Sequence, residues 1–245
     1  MKDEELLRYS RQIVLPEVDI DGQKKIEKSK VLIIGLGGLG SVTANYLCRA
    51  GIGELTVCDY DEIDVSNLHR QILFNDEDIG LKKTAVTKKR LGSANPKIKV
   101  KTIQEKLDKK KLDLLLRKEL IVVDSTDNFQ ARYALNEICF KYKRPLISGS
   151  AIGWKGQLLR LNFSDKESPC YECLYGSNMK EDESCSESGI LAPVTGLIGC
   201  LQALEVIKLI LNEGNSSGSL IEFDGLSNQS RILKVKKDPG CRVCS

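Results

Sequence analysis

Short, wholly apolar runs alternate along this chain with segments whose apolar positions recur at helical spacing. That alternation predicts an α/β fold. Val31-Leu32-Ile33-Ile34 is the first such run and reads as a buried parallel strand. A helix follows, with an apolar face of Leu39, Val42, Thr43, Tyr46, Leu47 and Ala50, stopped by Gly51 and Gly53. Leu55–Cys58 is a second strand and ends at Asp59. Further along, the pattern predicts a helix over 83–92, a strand over 97–102, a charged helix over 109–118 and a strand over 120–123. The next helix has Ala131, Ala134, Leu135, Ile138 and Tyr142 on one face and is capped by Asp127 or Asn128.

Beyond Pro145 the pattern changes. Residues 146–150 and 157–163, joined by a turn at 153–156, read as strands, as do 220–223 and 231–235, so this half is expected to be antiparallel. An amphipathic segment over Leu6–Ile13 and a turn at Asp21-Gly22 precede the first strand. The expected organisation is one domain over 1–245, with an N-terminal segment 1–29, a nucleotide-binding half 30–145 and a second half 146–245. Residues 176–189 are polar, acidic and aperiodic, and read as a flexible crossover loop.

The 245 residues are enough for a full α/β core, and the 41% hydrophobic and 29% charged fractions are those of a soluble protein. A net charge of +3, without long blocks of like charge, argues against a nucleic-acid partner. The charged N-terminus has no signal-peptide pattern. The most apolar stretch, 190–211, is interrupted by Pro193, Gln202, Glu205 and Lys208, which argues against a membrane span and for a buried or dimer-core helix. The expected location is cytoplasmic.

Three strand ends carry the candidate chemistry. Gly35-Leu36-Gly37-Gly38-Leu39-Gly40 follows a strand and opens a helix, so its glycines allow close approach of a diphosphate to backbone N–H groups at the helix start. Asp59 ends the next strand, where a ribose-holding acid is expected. This motif alone does not separate NAD from ATP. The following residues weigh toward ATP: Asn67 can hydrogen-bond a triphosphate, Arg70 and Lys83 can neutralise it, and Asp127 can hold Mg²⁺. His69 is the only histidine, which leaves no Ser-His-Asp triad and suits a reaction without a general base. A carboxylate attacking the α-phosphate of ATP is already ionised at neutral pH and needs cations and positioning instead.

Of nine cysteines, four form two equal spacings, Cys170-x-x-Cys173 and Cys241-x-x-Cys244, the pattern of a closed, structural Cys₄ zinc site. Cys185 lies apart, in the acidic segment 181–187. Neighbouring carboxylates should raise its pKa, so it is either incidental or a thiol that traps an acyl-adenylate.

Taken in order, Arg8-Tyr9-Ser10-Arg11-Gln12, the glycine loop, Asp59, Ser66 to Gln71, Lys83, Ser125 to Asn128, Ser148 to Ala151, Cys170-Tyr171-Glu172-Cys173, Gly189 to Pro193 and the last Cys-x-x-Cys resemble the ThiF/MoeB/HesA family of E1-like enzymes. The resemblance implies a Rossmann-like, mostly parallel sheet with helices on both faces, continued by antiparallel strands and a Cys₄ zinc knuckle. It implies an adenylyltransferase that activates the C-terminal Gly-Gly carboxylate of a small ubiquitin-like sulfur carrier, releasing pyrophosphate, in thiamine or molybdopterin biosynthesis. By the same resemblance Asp59 holds the ribose of ATP, Asn67, Arg70 and Lys83 hold its phosphates, and Asp127 binds Mg²⁺. Arg11 would reach the partner's site in a homodimer. Thiamine-branch members use a cysteine matching Cys185 for a covalent link to the carrier, whereas molybdopterin-branch members can carry one without depending on it. The chain stops just past the second knuckle, so sulfur is expected from a separate donor, a cysteine desulfurase or rhodanese. The competing readings are an NAD-dependent oxidoreductase and a non-enzymatic partner-binding module.

Overall fold

The structure is a computed structural model and describes residues 1–177, 189–214 and 217–245. Among the described residues eight strands form one continuous sheet, and the alternation read from the sequence is why. Strand β1 (Lys30–Ile34) sits between β2 (Glu54–Cys58) and β4 (Ile121–Asp124); β3 (Lys99–Ile103) flanks β2, and β5 (Leu146–Ile152) flanks β4. All four of these pairings are parallel. Strands β6 (Lys155–Leu161), β7 (Ser219–Asp224) and β8 (Gln229–Lys234) then add antiparallel, one after another.

Because side chains alternate across a strand, β1 feeds two cores. Val31 and Ile33 face a layer made by α3 (Asp19–Lys28), α4 (Gly38–Ala50), α5 (Lys83–Ala94) and α9 (Ala192–Leu211). Leu32 and Ile34 face the opposite layer of α6 (Lys109–Leu116), α7 (Phe129–Lys141) and α8 (Tyr171–Tyr175). Burial on both faces explains the absence of polar residues in Val31–Ile34. Two short N-terminal helices, α1 (Asp3–Arg8) and α2 (Ser10–Ile13), precede α3.

Three expectations are corrected. Asp21 and Gly22 lie inside α3 and form no turn there; the chain turns earlier, at Asp19, whose Oδ1 accepts from the Asp21 and Gly22 N–H groups at 2.7 and 2.9 Å. Gly22 is a packing glycine, since a Cβ there would sit 2.8 Å from Leu211 at the end of α9. Tyr46 is half exposed and does not join the buried face of α4. Strand β5 belongs to both halves, parallel to β4 and antiparallel to β6, so the change of direction comes one strand later than the sequence pattern suggests.

Helix α9 is long and apolar enough to cross a membrane by composition. Instead it packs against α4, β5 and β6. Its buried polar residues all have internal partners: Glu205 pairs with Arg160 at 3.0 Å and with Lys208 at 2.7 Å, Thr195 donates to Ala192 O, and Gln202 bonds to three groups of neighbouring elements.

Candidate active site

The carboxyl ends of β1, β2 and β4 open onto one edge, and the four glycines after β1 divide into two kinds. Gly35 has φ +91°, and a Cβ there would meet Ser125 O at 2.6 Å. A Cβ on Gly40 would lie 1.8 Å from Gly35 O, and one on Gly38 would lie 2.9 Å from the Thr195 side chain. These three let the loop pack against itself, the β4 turn and α9. Gly37 differs, because the nearest atom to its would-be Cβ is Gln71 Nε2, 3.9 Å away. Room for a side chain beside bare backbone at a helix start is compatible with an anionic ligand there.

Asp59, at the end of β2, is held close by this loop. Its Oδ2 accepts from Leu36 N–H at 2.6 Å and its Oδ1 from Asp61 N–H at 2.8 Å. Burial raises its pKa from the ordinary 3.8, while the Lys83 ammonium and the two N–H bonds pull it back. The excursion from 60 to 83 folds back on itself through Ile63 N–H to Leu81 O at 2.9 Å and Lys83 N–H to Asp61 O at 3.2 Å. That return places the buried Lys83, first residue of α5, with Nζ 2.9 Å from Asp61 Oδ2.

Asn67 and Arg70 lie on the same excursion, Asn67 ending a 3₁₀ turn (Val65–Asn67) capped by Asp64, which accepts from Ser66 N–H at 2.8 Å, and Arg70 three residues beyond it. Asn67 Oδ1 accepts from Asp64 N–H at 3.3 Å. Arg70 donates to Ser66 O at 2.9 Å and to the His69 ring at 2.7 Å. A guanidinium only donates, so His69 Nε2 is the acceptor here. Among the described residues no hydrogen bond or ion pair joins Asn67 or Arg70 to Asp59, Lys83 or Asp127.

The third strand end is built around buried Asp124, which accepts from Thr126 N–H at 3.0 Å, Thr126 Oγ1 at 2.7 Å and Ser148 Oγ at 2.6 Å. Arg132, one turn into α7, donates to Thr126 O at 2.6 Å from the other side and stands 3.9 Å from the Asp124 carboxylate. Asn128, not Asp127, caps α7 by accepting from Ala131 N–H at 2.9 Å. Asp127 is left exposed at the tip of a turn pinned on both flanks. Its charge reaches across the edge: burial, with Asp61, Asp127 and Asp59, raises the pKa of Tyr60. Asp59, Asp61 and Lys83 are thus joined in one cluster at the end of β2, and Asp127 follows β4 on the same carboxyl edge of the sheet.

The sequence reading named Asp61, Asp124 and Ser148 only within longer motifs and gave them no role, and it did not name Arg132. Asp61 had a signal in its position two residues beyond the strand-end acid, whereas the others gain their roles only through contacts between distant segments. Arg11 is exposed on α2 and has no hydrogen bond or ion pair among the described residues. Cys185 lies outside the described residues.

A second constellation sits on the opposite layer. The sulfurs of Cys170, Cys173, Cys241 and Cys244 all lie within 4.8 Å of one another. Three of the separations are 3.5 Å (Cys170–Cys241), 3.3 Å (Cys173–Cys244) and 3.9 Å (Cys170–Cys173). These are too long for disulfides, and a tetrahedral ion with Zn–S bonds of about 2.3 Å would space sulfurs roughly 3.8 Å apart. Burial pushes the Cys170 thiol up to about 11, so holding this cluster as thiolates calls for a bound cation. Asp238 N–H donates to Cys173 Sγ at 3.4 Å, and Arg242 bonds Glu172, tying the two knuckles together. The donor set fits zinc, and it would clamp the C-terminal residues onto α8.

The ThiF family model matches residues 9–243. The chain belongs to the ThiF family. Among curated relatives, the ThiF-family chain is 43% identical to the sulfur carrier protein ThiS adenylyltransferase of Escherichia coli K12, over 100% of its own length and 97% of the relative's. It is 42% identical to the molybdopterin-synthase adenylyltransferase of the same organism, over 100% and 98%. The adenylyltransferase and sulfurtransferase MOCS3 of Anopheles gambiae is 43% identical, and there the chain spans only 56% of the relative. Among solved structures, E. coli MccB with ATP superposes with a TM-score of 0.80 at 30% identity, covering 91% of this chain and 68% of MccB. MccB with an MccA peptide variant gives 0.84 at 26%, covering 97% and 75%. ThiF-family membership and these neighbours agree with the parallel sheet and its antiparallel continuation expected from the sequence, and the structure itself brings together the four cysteines expected there.

Proposed function

We propose that this ThiF-family chain is an ATP-dependent adenylyltransferase that activates the C-terminal Gly-Gly carboxylate of a small ubiquitin-like sulfur-carrier protein. The observation that carries the reading is the cluster of Asp59, Asp61 and Lys83 bonded to the glycine loop at Leu36, with Asp127 following β4 on the same carboxyl edge of the sheet. Full-length relatives that adenylylate ThiS or act on molybdopterin synthase support it, and MccB, solved with ATP, supports the nucleotide. The oxidoreductase alternative is not favoured by any of these relatives.

In this reading Asp59 accepts from the ribose hydroxyls with the lone pairs that Leu36 and Asp61 leave free. Lys83, released from Asp61 toward the ligand, offsets phosphate charge together with Arg70 and Asn67 at the far side of the excursion. Asp127, with Asp61 nearby, supplies carboxylate oxygens for Mg²⁺, which would neutralise charge on the departing pyrophosphate. A carrier carboxylate oxygen attacks the α-phosphorus; the new O–P bond forms as the bond from that phosphorus to the β-phosphate oxygen breaks, and pyrophosphate leaves with the electron pair. No proton moves, which is why the edge needs cations and no general base.

The proposed enzyme works as a homodimer in the cytoplasm. Leu197, Cys200 and Leu204 form an exposed stripe at helical spacing on α9, and Leu7, Val14 and Leu15 are exposed near Arg11, which suits a self-complementary interface that would carry Arg11 into the neighbouring site. The test is exchange of labelled pyrophosphate into ATP. Exchange that depends on a ThiS-like or MoaD-like carrier supports the proposal; no exchange with either, from folded zinc-loaded protein, refutes it.

A further inference from the structure

Gln202 is an anomaly in the sequence: a polar side chain in the middle of the most apolar segment, fully buried in the structure. Its amide sits where three elements of the nucleotide edge meet. Nε2 donates to Asp124 O at 2.7 Å, at the end of β4. Oε1 accepts from Ser125 Oγ at 3.0 Å, two residues before Asp127, and faces Thr43 Oγ1 at 3.2 Å, on the helix that the glycine loop opens. Gly149 on β5 lacks a side chain where one is impossible, since a Cβ there would lie 2.7 Å from the Gln202 amide. The helices themselves cross closely, a Cβ on Gly199 of α9 lying 2.6 Å from Leu39 O.

An amide buried without partners costs about 1–3 kcal/mol, so an apolar side chain would suit this helix better if packing were the only requirement. What the amide adds is geometry. The glycine loop and the Ser125 turn touch at Gly35, and Gln202 bonds the Asp124–Ser125 turn while facing Thr43 Oγ1 on the helix that the loop opens, a hydroxyl also 3.0 Å from Leu39 O and Gly199 O. We infer that Gln202 is a positioning residue, whose amide fixes the Asp124–Ser125 turn against the start of α4 and so sets the separation between Gly37 and Asp127. The inference rests on the adenylylation reading, in which Gly37 faces the phosphates and Asp127 the metal. A misplacement of about 1 Å in such a pair lowers turnover by about 10²-fold without a comparable change in ground-state binding.

The test uses the full zinc-loaded chain with a carrier that supports exchange by the native protein, and compares Gln202→Met with Val206→Ala. Met preserves length and suits the apolar surroundings; Val206, fully buried one turn further along α9, has no polar side-chain group and serves as a stability control. Gln202→Met is expected to lower kcat for pyrophosphate exchange by tenfold or more and to raise the Mg²⁺ concentration giving half-maximal rate. Its ATP affinity should stay within about threefold and its melting temperature should fall less than that of Val206→Ala. Val206→Ala should keep its kcat per folded molecule. Native-like exchange by Gln202→Met overturns the inference, and so does a loss no larger than that of Val206→Ala at matched folded fraction. Failure of the native protein to exchange with any Gly-Gly carrier is a different outcome, and refutes the proposed function itself.

Discussion

Gly37 and Gly40 look alike in the sequence, yet the structure assigns them opposite consequences when each is replaced by alanine. At Gly40 the new Cβ would stand 1.8 Å from Gly35 O, well inside contact distance, so the loop or the helix start must move by more than an ångström. Overpacking of this kind costs about 1–3 kcal/mol or more, a large share of a stability of roughly 5–15 kcal/mol. For a chain of this size that lowers the melting temperature by roughly 2–4 °C per kcal/mol. At Gly37 the nearest atom is 3.9 Å away, so the apo protein should keep its stability within about 0.5 kcal/mol. The methyl group there would instead occupy space claimed by phosphate. Saturation with ATP at a hundred times Kd stabilises the native protein by about 2.7 kcal/mol, or roughly 5–10 °C. Thermal melts with and without MgATP separate the cases: Gly37→Ala should melt like native protein without nucleotide and lose most of the ATP shift, and Gly40→Ala should melt early in both. A full ATP shift in Gly37→Ala would refute the placement of nucleotide over this loop.

Replacing Asp127 with alanine should lower carrier-dependent exchange by about 10²-fold while leaving the melting temperature within about a degree, because the side chain is exposed on a turn held by Asp124, Arg132 and Asn128. Cys173→Ala should release the metal, read as loss of one zinc per chain by elemental analysis. It should also lower the melting temperature by roughly 10 °C or more, since structural zinc contributes folding free energy directly. Asp59 gives a pH signature: burial raises its pKa above 3.8, so its ionisation opposes folding as pH rises through the raised value. The melting temperature of native protein minus that of Asp59→Asn should therefore fall from pH 3 toward neutrality (a range of roughly four units), and a rise would show the sign to be wrong.

How legible was this molecule? The strands that make the central sheet were, because burial on both faces demands unbroken apolar runs such as Val31–Ile34, and strand-end acids mark where they stop. The cysteine pairs were legible too, since metal geometry imposes its own spacing. Gly22 was misread as a turn because a glycine inside a helix is justified only by Leu211, almost two hundred residues away. Gly37 could not be told from Gly35 or Gly38 for the same reason: their difference lies in Ser125 and Thr195. Asp124, Ser148, Arg132 and Gln202 form a set only once β4, β5, α7 and α9 are packed, and no local pattern joins them. Gln202 did leave a trace, as an interruption in an apolar helix, but its partners were invisible in one dimension.

The central claim concerns which phosphorus is attacked. Incubation of the zinc-loaded protein and a Gly-Gly carrier with ATP labelled at either the α- or the γ-phosphate, followed by separation of the carrier, tests it directly. The account predicts label on the carrier from α-labelled ATP and none from γ-labelled ATP, with pyrophosphate released. Label transferred from the γ-phosphate, or none from either under conditions where ATP is bound, would contradict it.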